Sequence, residues 1–240
     1  MSESAKLDEV LRRQAEQFRE MLAEARQLAA ALESKRRREA RTDQAIAFLF
    51  CRALKFFDAY VCLVEARLGE PAAALVRSLY ETSLLLRWVV RGERNAVGFF
   101  VGGQDEGGRT VRRLTKLLAS SDVDLPDLPP PSVWTEEERR SPRPPGWEKL
   151  ASAVGLGDLH DLIYGMLSAY SHGNAMGFGE HFARRTITGG PSPYDLQPLF
   201  PVANNVFLDC QRVYRTWIVE RRVHEPPNVR VLLGIGGSME

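Results

Sequence analysis

The chain has 240 residues, of which 44% are hydrophobic and 26% charged, and its formal net charge is +1. This composition excludes whole-chain disorder, and the near-neutral charge gives no global attraction for nucleic acid or for an anionic membrane. The three cysteines have no metal-ligand spacing, which predicts a reduced, cytoplasmic chain. No stretch reaches the ~18 uncharged apolar residues of a membrane span, so we expect no membrane partner.

The first predicted element is a long amphipathic helix over residues 1–41. Its apolar seam recurs at alternating steps of four and three residues: Leu7, Leu11, Gln14, Phe18, Met21, Ala25, Leu28 and Leu32. Such a heptad seam fits two arrangements, a dimer arm that pairs with a second copy and a helix packed along its own domain. The sequence leaves both arrangements open.

A second helix is predicted from Thr42, which looks like an N-cap. The third helix, PAAALVRSLYETSLLLRWVVRG, is apolar on nearly all sides, so we expect it at the centre of the fold. Arg77 and Glu81 lie four residues apart within it, and breaking a buried ion pair costs about 3–5 kcal/mol. They are therefore either a structural ion pair or part of a functional site.

The fourth segment, RNAVGFFVGGQDEGGRTVRRLTKLLAS, contains two diglycines, at Gly102 and Gly107, that predict two helical pieces around a joint. Its basic stretch, residues 109–116, is typical of a solvated helix face, with nucleic-acid binding as the alternative. Residues 120–146 are rich in proline, aspartate and serine, and they predict an insertion loop with a short helix at TEEERR.

A later helix, DLHDLIYGMLSAYSHG, carries a polar stripe. The stripe consists of Tyr164, Ser168, Ser171 and His172. Their spacing places them on one helix face, and Glu81 is the predicted carboxylate partner of His172. The histidines His160 and His224 are predicted to lie on the surface or at helix ends.

A metal site is the most specific alternative hypothesis for this part of the chain, with His172, Glu180 and His181 as ligands. Glu180 and His181 are adjacent, a spacing that does not place both on one helix face. The Glu-x-x-His and His-Glu-x-x-His patterns of helical metal sites are absent from the sequence. Ser168 also lacks the Gly-x-Ser-x-Gly setting of a serine hydrolase. We therefore predict no metal and no cofactor.

Alternation at period two, the signature of half-buried strands, is absent from the sequence. The predicted fold is therefore all-α, a single helical bundle over residues 42–225. To it are added the long helical arm 1–41, the insertion 120–146 and the tail 226–240.

Two segments, ALVRSLYETSLLLRWV and YGMLSAYSHGN, resemble a bacterial family of unknown function. Its members pair an Arg-x-x-x-Glu helix with a later Tyr-x-x-Leu-Ser-x-x-x-His helix, and the family looks related to HEPN-like and abortive-infection helical proteins. The resemblance implies a polar cluster where the two helices meet. Its members here would be Arg77, Glu81, Tyr164, Ser168 and His172. HEPN ribonucleases place an arginine four to six residues before the histidine, a spacing that none of the four histidines here has.

Two functions follow from these observations. The first is a non-catalytic dimeric interaction or ligand-sensing module, in the defence or stress context that the resemblance implies. The alternative is a HEPN-like protein that binds or cleaves RNA, with His172 as general acid or base, Arg77 stabilising phosphate charge and Glu81 orienting one of them. The expected partners are a second copy of the chain, RNA or another protein, and the sequence leaves open whether the protein is an enzyme.

Overall fold

The computed structural model describes residues 3–33, 40–118, 134–171 and 196–220. In these ranges the structure has eight helices and no strand, which confirms the all-α prediction. The helices are α1 Glu3–Glu33, α2 Arg41–Glu65, α3 Gly69–Val89, α4 Glu93–Leu118, α5 Glu136–Arg139, α6 Trp147–Ala153, α7 Gly157–Ser171 and α8 Leu199–Glu220. None of these described helices combines the length and apolarity needed to cross a membrane.

Helix α1 packs along its own chain, which is the second of the two predicted arrangements. Its buried residues are Leu7, Leu11, Ala15, Phe18, Leu22, Ala25 and Leu28. The Phe18 ring is fully buried, with its centroid 5.4 Å from that of Phe57 on α2 and 5.9 Å from that of Phe200 on α8. The seam is thus part of the chain's own core. It follows the predicted heptad except that Ala15 and Leu22 replace Gln14 and Met21.

The start of α2 differs from the prediction. The helix begins at Arg41 and its N-cap is Ala40, so the prediction of Thr42 as N-cap was wrong. Glu93, the first residue of α4, supplies the acceptors instead. Its carboxylate accepts from the backbone N–H of Arg41 at 2.8 Å, from that of Thr42 at 3.1 Å and from the Thr42 hydroxyl. The first N–H groups of a helix need such acceptors, and a carboxylate also suits the positive end of the helix dipole.

Helix α4 is continuous from Glu93 to Leu118, so the predicted joint at the diglycines was wrong. Two of its glycines have a packing role instead. A Cβ at Gly98 would lie 1.7 Å from the carbonyl oxygen of Pro142, and one at Gly102 would lie 3.1 Å from Cδ of Arg143. Glycine at these positions lets the segment after α5 lie directly on α4. The predicted short helix is confirmed as α5, which has a capping box at its start.

Helix α3 lies at the centre, as predicted, and contacts α2, α4, α6, α7 and α8. It is joined to α8 by a polar contact, which we call the α3–α8 lock and define as Ser83, Arg87 and Asp209. Arg87 donates to both oxygens of the Asp209 carboxylate, at 2.7 Å from Nε and also from its terminal NH2. The Ser83 hydroxyl donates to the same carboxylate at 3.1 Å. The hydrogen bonds with Asp209 raise the pKa of Arg87.

Candidate functional site

Helix α7 packs on α3 in the antiparallel sense. Arg77 on α3 contacts Tyr164 on α7. Tyr80, about one turn further along α3, contacts His160, one turn earlier on α7. Each step forward along α3 therefore corresponds to a step backward along α7. This register places Glu81 at the level of His160.

We call the side chains at this contact the α3–α7 cluster and define it as Arg77, Tyr80, Glu81, His160 and Tyr164. Arg77 connects the two helices. Its Nε donates to Glu81 Oε1 at 3.2 Å, and its terminal NH2 donates to the Tyr164 hydroxyl. Its Cζ also lies 4.5 Å from the centroid of the Tyr164 ring, within cation–π range. The Arg77 and Glu81 side chains are 20% and 22% exposed, so water reaches both ends of the pair.

His160 lies in the first turn of α7, so it is a helix-end histidine as predicted, but the surface alternative was wrong because its ring belongs to the interior of the cluster. It is only 5% exposed. Its ring centroid lies 4.8 Å from that of Tyr164 and 5.9 Å from that of Tyr80. Residues 160, 164 and 167 share the buried face of α7. The four-residue spacing from His160 to Tyr164 is the sequence signal that could have identified this histidine.

Tyr80 provides the polar partner of the buried imidazole. Its hydroxyl oxygen lies 3.2 Å from His160 Nδ1, and the residue is 2% exposed. Burial, together with the negative charge of Asp161, raises the pKa of Tyr80 to about 12. Tyr80 is therefore a neutral hydroxyl at physiological pH, and it donates to Nδ1 when the imidazole is neutral with its proton on Nε2.

The remaining predicted site residues lie towards the end of α7. Ser168 is half-buried, one turn after Tyr164 on the same helix face. His172, Glu180 and His181 lie outside the described residues, so a contact between Glu81 and His172 remains a prediction. The histidine that the described structure brings to the level of Glu81 is His160.

The geometry separates the cluster into two parts. Arg77 and Glu81 form a charged edge that solvent reaches, whereas Tyr80 and His160 form a buried hydrogen-bonded pair beneath it. General acid–base catalysis requires the proton-transferring group to reach the substrate. His160 lacks that access, whereas Arg77 has it. Within the described ranges, no group of three or more His, Cys, Asp or Glu side chains could hold a metal ion.

A groove of about 360 Å³ lies elsewhere, between α1 and the end of α2. Its rim is held by two ion pairs between these helices, Arg67–Asp8 at 2.8 Å and Arg19–Glu65 at 2.6 Å. Because its rim charges neutralise each other across the groove, we assign these pairs the role of fixing α1 on α2.

The chain belongs to a family of unknown function, DUF5677, whose family model matches residues 43–189. The match begins within α2 and includes α3 and α7, so it covers both helices of the cluster. Searches of curated proteins and of solved structures gave no significant match. The family agrees with the resemblance to an uncharacterised helical family, and it gives no support to a HEPN-like relationship.

Proposed function

We propose that this protein is a non-catalytic ligand-sensing module whose responsive element is the contact between α3 and α7. The observation that carries the proposal is the position of Arg77, whose side chain is 20% exposed and joins the two helices through Tyr164. A small molecule with an oxyanion that engages Arg77 competes with this contact. Binding there would change how α7 lies on α3, and a sensor needs such a link between ligand and structure.

The properties of α7 support this role. In the described structure it packs mainly on α3 and α6, and Leu159 and Leu162 on its outer side are 49% and 71% exposed. A helix with few buried apolar contacts is among the first elements to open locally. A ligand that binds Arg77 would therefore act directly on α7, a helix that opens at low free-energy cost.

RNA binding or cleavage through Arg77, Glu81 and His172 is the second candidate. The exposed basic residues Arg112 and Arg113 on α4 favour it, because clustered cations attract phosphates. The shielded position of His160 disfavours a cleaving version built from the described residues. The defence or stress context comes from the resemblance and remains a prediction.

The homodimer also remains a prediction. The seam of α1 is buried within its own chain, so a dimer would have to use another face. Multi-angle light scattering of the full chain tests this directly. We expect the mass of two chains, and the mass of one chain at all concentrations would contradict the prediction.

Amide hydrogen exchange tests the sensing role. We expect Arg77→Gln to speed exchange of the α7 amides by about tenfold, because one charge-assisted hydrogen bond to Tyr164 is lost. The exposed Arg91, just beyond α3, gives the matched control Arg91→Gln, which should leave α7 unchanged. Unchanged α7 exchange in Arg77→Gln would contradict the proposal.

A second assay separates sensing from catalysis. Wild-type protein and the variants Arg77→Gln and Glu81→Gln are incubated with labelled single-stranded RNA. We expect no cleavage above the buffer rate in any sample. Cleavage by the wild type that is lost in both variants, at unchanged melting temperature, would establish the RNA-cleaving alternative instead.

A further inference from the structure

The outer side of α2 carries a mixed aromatic and basic surface, which we call the α2 stripe and define as Phe48, Arg52, Lys55 and Phe56. Steps of four, three and one residues place these side chains on one helix face. Phe48 is 50% exposed, which is unusual for a large aromatic side chain in this structure. Arg52 and Lys55 are exposed, and Phe56 is half-buried.

Aromatic rings and cations are interleaved along the stripe. The guanidinium carbon of Arg52 lies 5.0 Å from the centroid of the Phe56 ring. The ring of Phe48 lies 6.1 Å from that of Phe99 on α4, at an interplanar angle of 46°. This second ring supports Phe48 from one side and leaves half of the residue open to solvent. Phe48 is therefore a supported, accessible ring about one helical turn from Arg52 and about two turns from Lys55.

In the described part of the chain neither Arg52 nor Lys55 makes an ion pair, whereas Arg26 pairs at 2.6 Å with Asp58 on the side of α2 that faces α1. A helix surface with cations, aromatic rings and no paired carboxylate suits an anionic partner. A second copy of the chain fits poorly, because a two-fold contact centred on the stripe would bring the cations of the two copies close to one another.

We infer that the α2 stripe binds single-stranded nucleic acid. Every base offers a π-face that can stack on an aromatic ring such as Phe48, and phosphates can pair with Arg52 and Lys55. The inference concerns a different surface from the α3–α7 cluster and goes beyond the proposed sensing role. It is also distinct from the basic stretch of α4, where Arg112 and Arg113 have no aromatic ring described beside them.

Fluorescence anisotropy with a labelled oligouridylate tests the inference. Phe48→Ala should weaken binding by about tenfold, the usual effect of removing one stacking platform. The double variant Arg52→Gln/Lys55→Gln should reduce the slope of log K against log salt by about 1.4, since each phosphate contact on a single strand contributes about 0.7. The matched control, Arg91→Gln/Arg94→Gln, removes two exposed cations outside the stripe and should retain the wild-type slope. The variant Arg112→Gln/Arg113→Gln on α4 tests the competing surface.

Four results would overturn the inference. The first is no binding by the wild type at low salt. The second is equal affinity of the wild type and Phe48→Ala. The third is a larger loss of affinity in Arg112→Gln/Arg113→Gln than in the stripe variants, which would assign binding to α4. The fourth is complete displacement of the oligouridylate by polyglutamate at equal charge, which would assign the stripe to an acidic protein. Because the assay variants leave Arg77 intact, these results are independent of the α7 exchange test.

Discussion

Helix α3 carries two arginine–carboxylate pairs of opposite character. Arg87 in the α3–α8 lock binds both oxygens of Asp209 on another helix, and Ser83 adds a third hydrogen bond to that carboxylate. Arg77 reaches Glu81 on its own helix, at 3.2 Å through Nε. Exposure does not separate the two pairs, since Arg87 and Asp209 are 31% and 14% exposed and Arg77 and Glu81 are 20% and 22% exposed. Two arginines ten positions apart on α3 thus take their carboxylates from different helices.

The difference lies in what holds each guanidinium. A bidentate carboxylate from a neighbouring helix fixes Arg87 and cannot leave without separating α3 from α8. A carboxylate four residues later on the same helix supports an arginine by only about 0.3–0.5 kcal/mol, so it can be exchanged for another anion at low cost. Arg77 takes its orientation from Tyr164 instead. We therefore interpret the lock as structural and the α3–α7 cluster as the responsive site.

The largest expected effect comes from breaking the lock. Asp209→Ala leaves the Arg87 cation without its carboxylate, and we expect a loss of about 2–4 kcal/mol in the free energy of unfolding, below the fully buried limit because Arg87 keeps contact with water. Urea denaturation measures it. The matched variant Glu81→Ala should cost less than about 1 kcal/mol. Equal losses in the two variants would remove the distinction between lock and site.

The reactivity of the Cys210 thiol on α8 measures how readily the α3–α8 lock opens. Cys51 and Cys62 are exposed, whereas Cys210 is buried next to Asp209, and burial raises the pKa of the Cys210 thiol. In native protein we expect two thiols to react rapidly with Ellman's reagent. Asp209→Ala should speed the third by on the order of tenfold, since local opening becomes easier. Fast reaction of all three thiols in the wild type would contradict this picture.

The hydroxyl of Tyr164 should have an intermediate effect. Tyr164→Phe keeps the ring under Arg77 and removes the acceptor of its hydrogen bond, so we expect a loss of about 1 kcal/mol in the free energy of unfolding. A double-mutant cycle with Arg77→Gln should show coupling between the two residues. Additive effects would mean that the contact contributes nothing to stability.

The smallest effect is expected at Glu81. Glu81→Gln keeps the shape and a hydrogen-bond acceptor while removing the charge, so stability should change by less than about 0.5 kcal/mol. Chemical denaturation of this variant and of the wild type, run in parallel, measures the change in the free energy of unfolding. A loss as large as that of Asp209→Ala would show that Glu81 is a structural partner after all.

Periodicity predicted much of this molecule because it depends on local spacing. The apolar seam of α1, the central position of α3 and the pair Arg77–Glu81 could all be read from steps of three and four residues. The cap of α2 could not, because its acceptor, Glu93, comes from the start of another helix. The continuity of α4 could not be predicted either, since Gly102 packs on Arg143, a residue distant in sequence.

The α3–α7 cluster was predicted only in part, because periodicity describes spacing within one helix. The spacing within each helix identified Arg77, Glu81 and Tyr164, but the pairing of helices depends on register, which the sequence does not specify. Antiparallel packing brings His160 to the cluster. The spacing of His160 to Tyr164 places the two rings on one face of α7, but the burial of His160 also depends on Tyr80, which comes from α3.

Amide hydrogen exchange of the unliganded wild type, mapped across α3, α7 and α8, tests the central claim most directly. The claim is that α7 is the responsive element and that α3 and α8 form the fixed frame. We predict that the α7 amides exchange through local opening at a lower free energy than those of α3 and α8, which open only with global unfolding. Protection of α7 equal to that of α8 would contradict the account.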